Sequence, residues 1–240
     1  MQVIQVKVGV LAIQGAFSEH KTCLIKASKQ IGNDTKTSND RQLNVEVVEV
    51  RTASDMDGLN GLIIPGGEST VISRSFEKNG FGDAVRGWIK EQGSPVVWGT
   101  CAGMIMLSNN IENSKIGGQT LLGGLDIEVC RNFFGRQINS FEAAVAMKSQ
   151  NLSMIGNESD AEPYHGVFIR APAVISTKNT GVEVLGTVTH EKSGQQEVIV
   201  AVKQNNIMAT AFHPELTDDL RWHRYFLELV IKNILSKGFV

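Results

Sequence analysis

Val6, Val8 and Val10 alternate with polar or small neighbours, the period-two pattern of a strand, and predict one over residues 6–13. The spacing then changes to that of a helix: Cys23, Leu24, Ala27 and Ile31 fall on one face of a segment spanning 17–31. Residues 32–44 are almost wholly polar and read as a surface loop. Strands follow at 44–50 and 61–65, the latter running into Pro65-Gly66-Gly67. Helices are expected over 69–79, closed by Gly80, and over 83–92, where Val85, Trp88 and Ile89 share a face and Gly93 is the stop. A strand at 94–98 and a helix at 102–109 complete this half. Strands interleaved with helices imply right-handed crossovers and a mainly parallel sheet covered on both faces.

Past Leu121 the rhythm is different. Leu125, Ile127 and Val129 alternate with polar residues, and 141–147, 167–170, 182–188, 198–202 and 207–212 are strand-like with few helices between. That pattern predicts an antiparallel extension of the same sheet. No linker divides the halves, so residues 1–240 are expected to form a single domain. The polar stretch 150–165 reads as an excursion. An amphipathic helix from about residue 218 carries Leu227, Val230, Ile231 and Ile234 on one face, with Gly238 past its end.

Composition narrows the function classes. Apolar residues make up 42% and charged residues 20%, which excludes intrinsic disorder. Lys and Arg total 23 against 25 Asp and Glu, a net charge of −2, so no basic field exists to attract nucleic acid or anionic lipid. No apolar run is long enough to span a membrane, and the first residues lack a basic leader. Three cysteines, Cys23, Cys101 and Cys130, with no CxxC spacing, read as reduced thiols of a cytoplasmic protein.

The candidate chemistry lies where strands end. Val96-Val97-Trp98-Gly99-Thr100-Cys101-Ala102-Gly103 is an apolar strand entering Gly-x-Cys-x-Gly and then a helix, a nucleophile elbow with Cys101 as the nucleophile. The turn is sharp, so Gly99, Ala102 and Gly103 must be small. A buried cysteine in an ordinary tight turn would show the same run, so the elbow needs supporting context. Phe212-His213-Pro214-Glu215 supplies it. If that segment is extended, His213 and Glu215 share a face, and the carboxylate can orient a base whose other nitrogen faces the nucleophile. Leu62 to Ser69, a strand ending in Pro-Gly-Gly before a helix, offers unpaired backbone N–H groups for an oxyanion. His20, His165, His190 and His223 show no metal-site spacing and read as surface or partner-facing. Cys23 and Cys130 read as core thiols, and Met104 and Met106 as packing. No phosphate-binding loop of the GxxxxGK[ST] type occurs.

Together these pieces resemble the triad-type, class I glutamine amidotransferases. Further segments are similar to the glutaminase-subunit family of pyridoxal 5'-phosphate synthases. They are residues 10–15 with Glu19-His20, Pro65 to Thr70, Trp98 to Gly103, Arg131 to Gln137, Ser140 to Glu142, Phe168 to Pro172 and His213 to Thr217. The resemblance implies a three-layer, flavodoxin-like α/β fold, a mainly parallel central sheet with an antiparallel extension. It implies hydrolysis of L-glutamine by Cys101, His213 and Glu215, with the backbone N–H groups of Gly67 and Ala102 as the oxyanion hole. It places glutamine's amino-acid end at Gly67, Glu68, Ser69, Arg131, Ile169 and Arg170, and a guanidinium such as that of Arg131 suits a carboxylate. No cofactor or metal is implied; the implied partner is a synthase subunit that receives ammonia. Segments 32–44 and 150–165 look like insertions beyond the compact form of that family. A glutaminase serving another acceptor and a non-enzymatic reactive-cysteine protein of related fold are the alternatives. The Arg-Asn-Phe-Phe-Gly-Arg-Gln segment argues against the first and His-Pro-Glu against the second.

Overall fold

Consecutive residues of one buried strand face different helical layers, and that arrangement defines the architecture. The structure is a computed structural model describing residues 2–35, 41–78, 80–91, 94–113, 119–135, 140–148, 163–190 and 196–238. The first half of the chain comprises β1 (Gln2–Leu11), α1 (Phe17–Thr35), β2 (Arg41–Val50), β3 (Gly61–Ile64), α2 (Ser69–Phe76), α3 (Phe81–Lys90), β4 (Val96–Thr100) and α4 (Ala102–Leu107). Then come β5 (Ser108–Ile111), β6 (Leu125–Cys130), β7 (Ser140–Met147), β8 (Tyr164–Ile169) and β9 (Ala173–Thr177). The chain closes with β10 (Glu183–Thr189), β11 (Glu197–Gln204), β12 (Ile207–Thr210) and α5 (Arg221–Ser236). On β4, Trp98 meets the rings of His20 on α1 and of His223 and Phe226 on α5. Its neighbour Gly99 abuts Gly103 and Leu107 on α4. Side chains alternate across a sheet, so helices cover both faces of β4.

The sheet runs in the order β2-β1-β3-β4-β12-β11-β10-β7-β8, with β9 bridging β11 to the β5–β6 pair. β2, β1, β3, β4 and β12 are mutually parallel, the doubly wound order in which ligands bind beyond the carboxyl ends of the strands. β12 turns the sheet antiparallel through β11, β10, β7 and β8. One apolar core runs from β1 to α5, which is why β3 and β4 read as unbroken apolar runs.

Several expected boundaries move. The loop expected at 32–44 shrinks from both sides, because α1 continues to Thr35 and β2 pairs with β1 from Gln2↔Arg41 to Leu11↔Val50. Backbone pairing extends a strand whose opening residues are polar. The helix expected over 69–79 ends at Phe76, and Gly80, at φ +69°, precedes α3 instead of closing α2. The helix expected to reach 109 stops at Leu107, because Ser108–Ile111 pairs with β6. β9, unmarked in the sequence, forms by pairing with β6 and β11. The excursion at 150–165 lies outside the described residues up to 162, and β8 already begins at Tyr164. Gln92, Gly93, Arg136 and Gln137 also lie outside them.

Candidate active site

β3, β4 and β12 lie side by side and finish at one edge, with Ile64 level with Gly99 and Thr100 level with Thr210. Each strand delivers one part of the site. From β4 the chain enters the elbow: Cys101, 8% exposed, sits at φ +48° and ψ −103°, a conformation that costs an L-residue about 1–3 kcal/mol. Its surroundings enforce that geometry. The Cys101 N–H donates to Thr210 O at 2.8 Å. A Cβ on Gly99 would lie 2.4 Å from the Gly103 carbonyl carbon, and one on Gly103 would lie 2.0 Å from Ile64 O. The small residues of the elbow are therefore a steric necessity. The Cys101 thiol approaches Ile169 O at 3.8 Å.

From β12 the chain enters His213, whose N–H donates to Val167 O on β8 at 2.8 Å. The His-Pro-Glu segment is not extended as the sequence suggested: Pro214–Leu216 is a single 3-10 turn, and the turn brings Glu215 Oε1 to 2.8 Å from His213 Nδ1. A locked proline φ favours that turn. Burial by itself would lower the His213 pKa. Hydrogen bonds to Cys101 and Glu215, with the charges of both, outweigh it and raise the imidazole to about 10. Burial pushes the other two thiols up, Cys23 to about 11 and Cys130 to about 12, with Glu215 and Glu112 respectively adding to the shift.

From β3 comes the Pro65-Gly66-Gly67 loop. A Cβ on Gly66 would lie 2.5 Å from His213 Cε1 and 3.2 Å from Cys101 Cβ, so only glycine lets this backbone touch both. The Gly66 N–H donates to Thr100 Oγ1 at 3.0 Å. Gly67, at φ +152°, and Glu68 are exposed, whereas Ser69 is buried at the start of α2.

The remaining expected residues divide into two groups. Ile169 ends β8 with its carbonyl beside Cys101, and Arg170 follows it with a left-handed backbone at φ +45°. Ser69 and Arg131 are tied together by Gln119, which sequence reasoning missed. Ser69 Oγ and Arg131 Nη2 donate to Gln119 Oε1 at 3.2 and 2.5 Å, and Gln119 Nε2 donates to Ser69 O at 2.8 Å. Gln119 had no sequence signal, lying 50 residues from Ser69 and 12 from Arg131 with no motif around it. Arg131 Nε is buried with no hydrogen-bond partner among the described residues.

Two histidines expected at the surface are in the core. His20 and His223 have no exposed area, and His190 packs against Phe134 and Phe141; His165 alone of the four is exposed. The signal was present: His20 precedes Cys23, Leu24 and Ala27 at i+3, i+4 and i+7, and His223 stands in the same relation to Phe226, Leu227 and Val230. Among the described residues no His, Cys, Asp and Glu side chains gather into a metal-holding group, and no helix is long and apolar enough to cross a membrane.

Residues 10–232 match the family model described as the SNO glutamine amidotransferase family. The chain is 43% identical to the probable pyridoxal 5'-phosphate synthase subunit pdx2 of Dictyostelium discoideum, over 97% of this chain and 95% of that one. It is 44% identical to the probable pyridoxal 5'-phosphate synthase subunit PDX2 of Arabidopsis thaliana, over 92% and 85% respectively. A crystal structure of a glutamine amidotransferase superposes with a TM-score of 0.71 at 41% identity, covering 93% of this chain and 98% of that one.

Proposed function

The chain belongs to the SNO glutamine amidotransferase family, and from that premise we propose that it hydrolyses L-glutamine and passes the ammonia to a separate pyridoxal 5'-phosphate synthase subunit. The observation that carries this reading is the meeting of Cys101, the His213–Glu215 pair and the Pro-Gly-Gly loop at the ends of three adjacent strands. The names of its relatives support the synthase context. On this reading the whole chain works as one glutaminase domain.

Cys101 Sγ attacks the side-chain amide carbon of glutamine, and the carbonyl oxygen becomes an oxyanion. The Gly66 N–H is engaged by Thr100. The family resemblance assigns that oxyanion to the backbone N–H groups of Gly67 and Ala102. His213 gives its proton to the departing nitrogen, which leaves as ammonia, and a thioester remains on Cys101. The neutral imidazole then takes a proton from water, whose oxygen displaces the thiolate and releases L-glutamate. Glu215 holds the Nδ1–H of His213 and so leaves Nε2 toward the chemistry. Arg131, with its unsatisfied Nε, suits the substrate carboxylate, and Glu68 and the backbone of Gly67, Ser69, Ile169 and Arg170 would line the amino-acid end. A free catalytic thiol also fits a reducing cytoplasmic setting, with all three cysteines unpaired.

The test is a coupled assay. The chain should release glutamate from glutamine, faster with the synthase subunit present, since completing the oxyanion hole only in the complex prevents wasted glutamine. An assembled complex carrying Cys101→Ser should fail to form pyridoxal 5'-phosphate from glutamine and should recover on adding ammonium salt. Failure of ammonium to rescue would mean that the chain takes part in the synthase chemistry itself, and ammonia delivery would be wrong.

A further inference from the structure

Behind the triad, two buried histidines join two parts of the site, the Thr100 anchor of the Pro-Gly-Gly loop and the Glu215 carboxylate. His20 Nε2 lies 3.3 Å from Thr100 Oγ1 and 3.2 Å from Glu215 Oε2, and His20 Nδ1 lies 3.0 Å from His223 Nε2. Thr100 Oγ1 in turn accepts the Gly66 N–H, and Glu215 Oε1 faces His213 Nδ1. One imidazole therefore touches the anchor of the Pro-Gly-Gly loop and the carboxylate of the triad at once. Trp98 walls the pair edge-on, at ring-centroid distances of 5.7 Å from His20 and 5.0 Å from His223.

The contacts select the tautomers. Were His20 Nε2 unprotonated, its lone pair would face the Glu215 carboxylate. Its Nδ1–H would then donate to His223 Nε2, leaving an N–H on His223 Nδ1, a buried atom without a partner among the described residues. An unpaired buried donor and a lone pair against a carboxylate both cost free energy. With the proton on His20 Nε2, its N–H points at Thr100 Oγ1 with Glu215 Oε2 close by, and His223 donates from Nε2 to His20 Nδ1. The atom left unpaired is then only an acceptor, His223 Nδ1. Glu215 Oε2 has no well-aligned hydrogen bond among the described residues, and this N–H lies on a nitrogen 3.2 Å from it. Burial keeps both rings neutral: it pushes His223 down to about 3 and His20 well below its usual range.

We propose that His20 is a positioning residue, held by His223 in its Nε2–H form, that sets the Thr100–Gly66 contact and the Glu215 carboxylate in mutual register. It rests on the glutaminase reading, because it acts through Glu215 and the loop and never reaches substrate. Its consequence is that nucleophile activation and oxyanion stabilisation are aligned by one buried ring.

The experiment pairs kinetics of the full chain assembled with its synthase subunit with ring-nitrogen spectroscopy of the full chain alone. In long-range 1H–15N spectra of the free full chain, His20 and His223 should both be neutral with the proton on Nε2. His20→Phe, which keeps a ring but removes the donor, should lower kcat about tenfold to a hundredfold with KM little changed, as expected for misplaced catalytic groups. His20→Gln, which returns an N–H donor, should recover part of that loss. His223→Phe should shift His20 away from the pure Nε2–H form. A wild-type spectrum showing His20 protonated on Nδ1, or a folded His20→Phe complex with unchanged kcat, would overturn the proposal. If the wild-type complex released no glutamate, the glutaminase reading would fail instead, while the spectra would still decide the tautomers.

Discussion

His213 at the strand ends and the His20–His223 pair just behind it are the same side chain in two electrostatic settings. His213 is buried between a thiol and a carboxylate, and their charges and hydrogen bonds overcome desolvation and raise it to about 10. His20 and His223 are completely buried, and although His20 Nε2 lies 3.2 Å from Glu215 Oε2, desolvation governs both rings, with the charges of His223 and His213 lowering His20 further. The difference teaches that depth alone does not set a histidine's charge in this protein. What faces the ring decides whether it serves as a proton carrier or as a neutral strut.

The sharpest way to break that contrast is at the nucleophile. Cys101→Ala should abolish glutaminase activity, because no thioester can form, and should leave the unfolding midpoint within roughly a few degrees of wild type. A glutamine-like electrophile should label Cys101 and spare Cys23 and Cys130, whose thiols stay protonated near neutral pH. Equal labelling of all three, read by peptide mass spectrometry, would remove the case for a tuned nucleophile.

Glu215→Gln tests orientation against reaction. It keeps the shape but loses the carboxylate that selects the His213 tautomer, and kcat should fall by about 10²-fold or more while some turnover remains. His213→Ala should cost more, since the base itself is gone.

The two settings should also separate in pH. The His213 pKa is raised on folding, so its contribution to stability is complete below about 6.5 and is lost as pH rises through about 10. His223 and His20 are depressed on folding, so theirs is complete above about 6.5 and fades as pH falls toward about 3, the value His223 reaches. Denaturant titrations across pH should show both limbs, each on the order of a few kcal/mol at most. His223→Phe should flatten the acid limb and leave the alkaline one, and His213→Asn should do the reverse. A single variant flattening both limbs would mean that the two regions titrate as one unit.

The smallest effect is expected at the indole that flanks the His20–His223 pair. Trp98 Nε1 donates to Thr210 Oγ1 at 3.2 Å. Trp98→Phe should therefore cost about 1–2 kcal/mol by equilibrium unfolding, from one lost hydrogen bond and the remaining gap.

The amino-acid sequence alone determined the parallel half of the sheet, because strands buried on both faces must be continuous apolar runs and glycines must sit where backbone meets backbone. For the same reason it revealed Cys101, Gly66 and the small residues of the elbow, whose chemistry is local. The pairing of His213 with Glu215 was also legible, although the 3-10 turn that achieves it was not, since i and i+2 can meet through more than one backbone path. Only the tertiary structure decided what depended on residues distant along the chain. Gln119 joins Ser69 to Arg131 across loops with no common pattern, and β5 and β9 exist because other strands offer them partners. The helical stripes of α1 and α5 carried the signal that His20 and His223 lie on core faces, although the sequence reading placed both at the surface or facing a partner. That the two faces meet each other, with Thr100 and Glu215 beside them, follows from the packing of two helices separated by most of the chain.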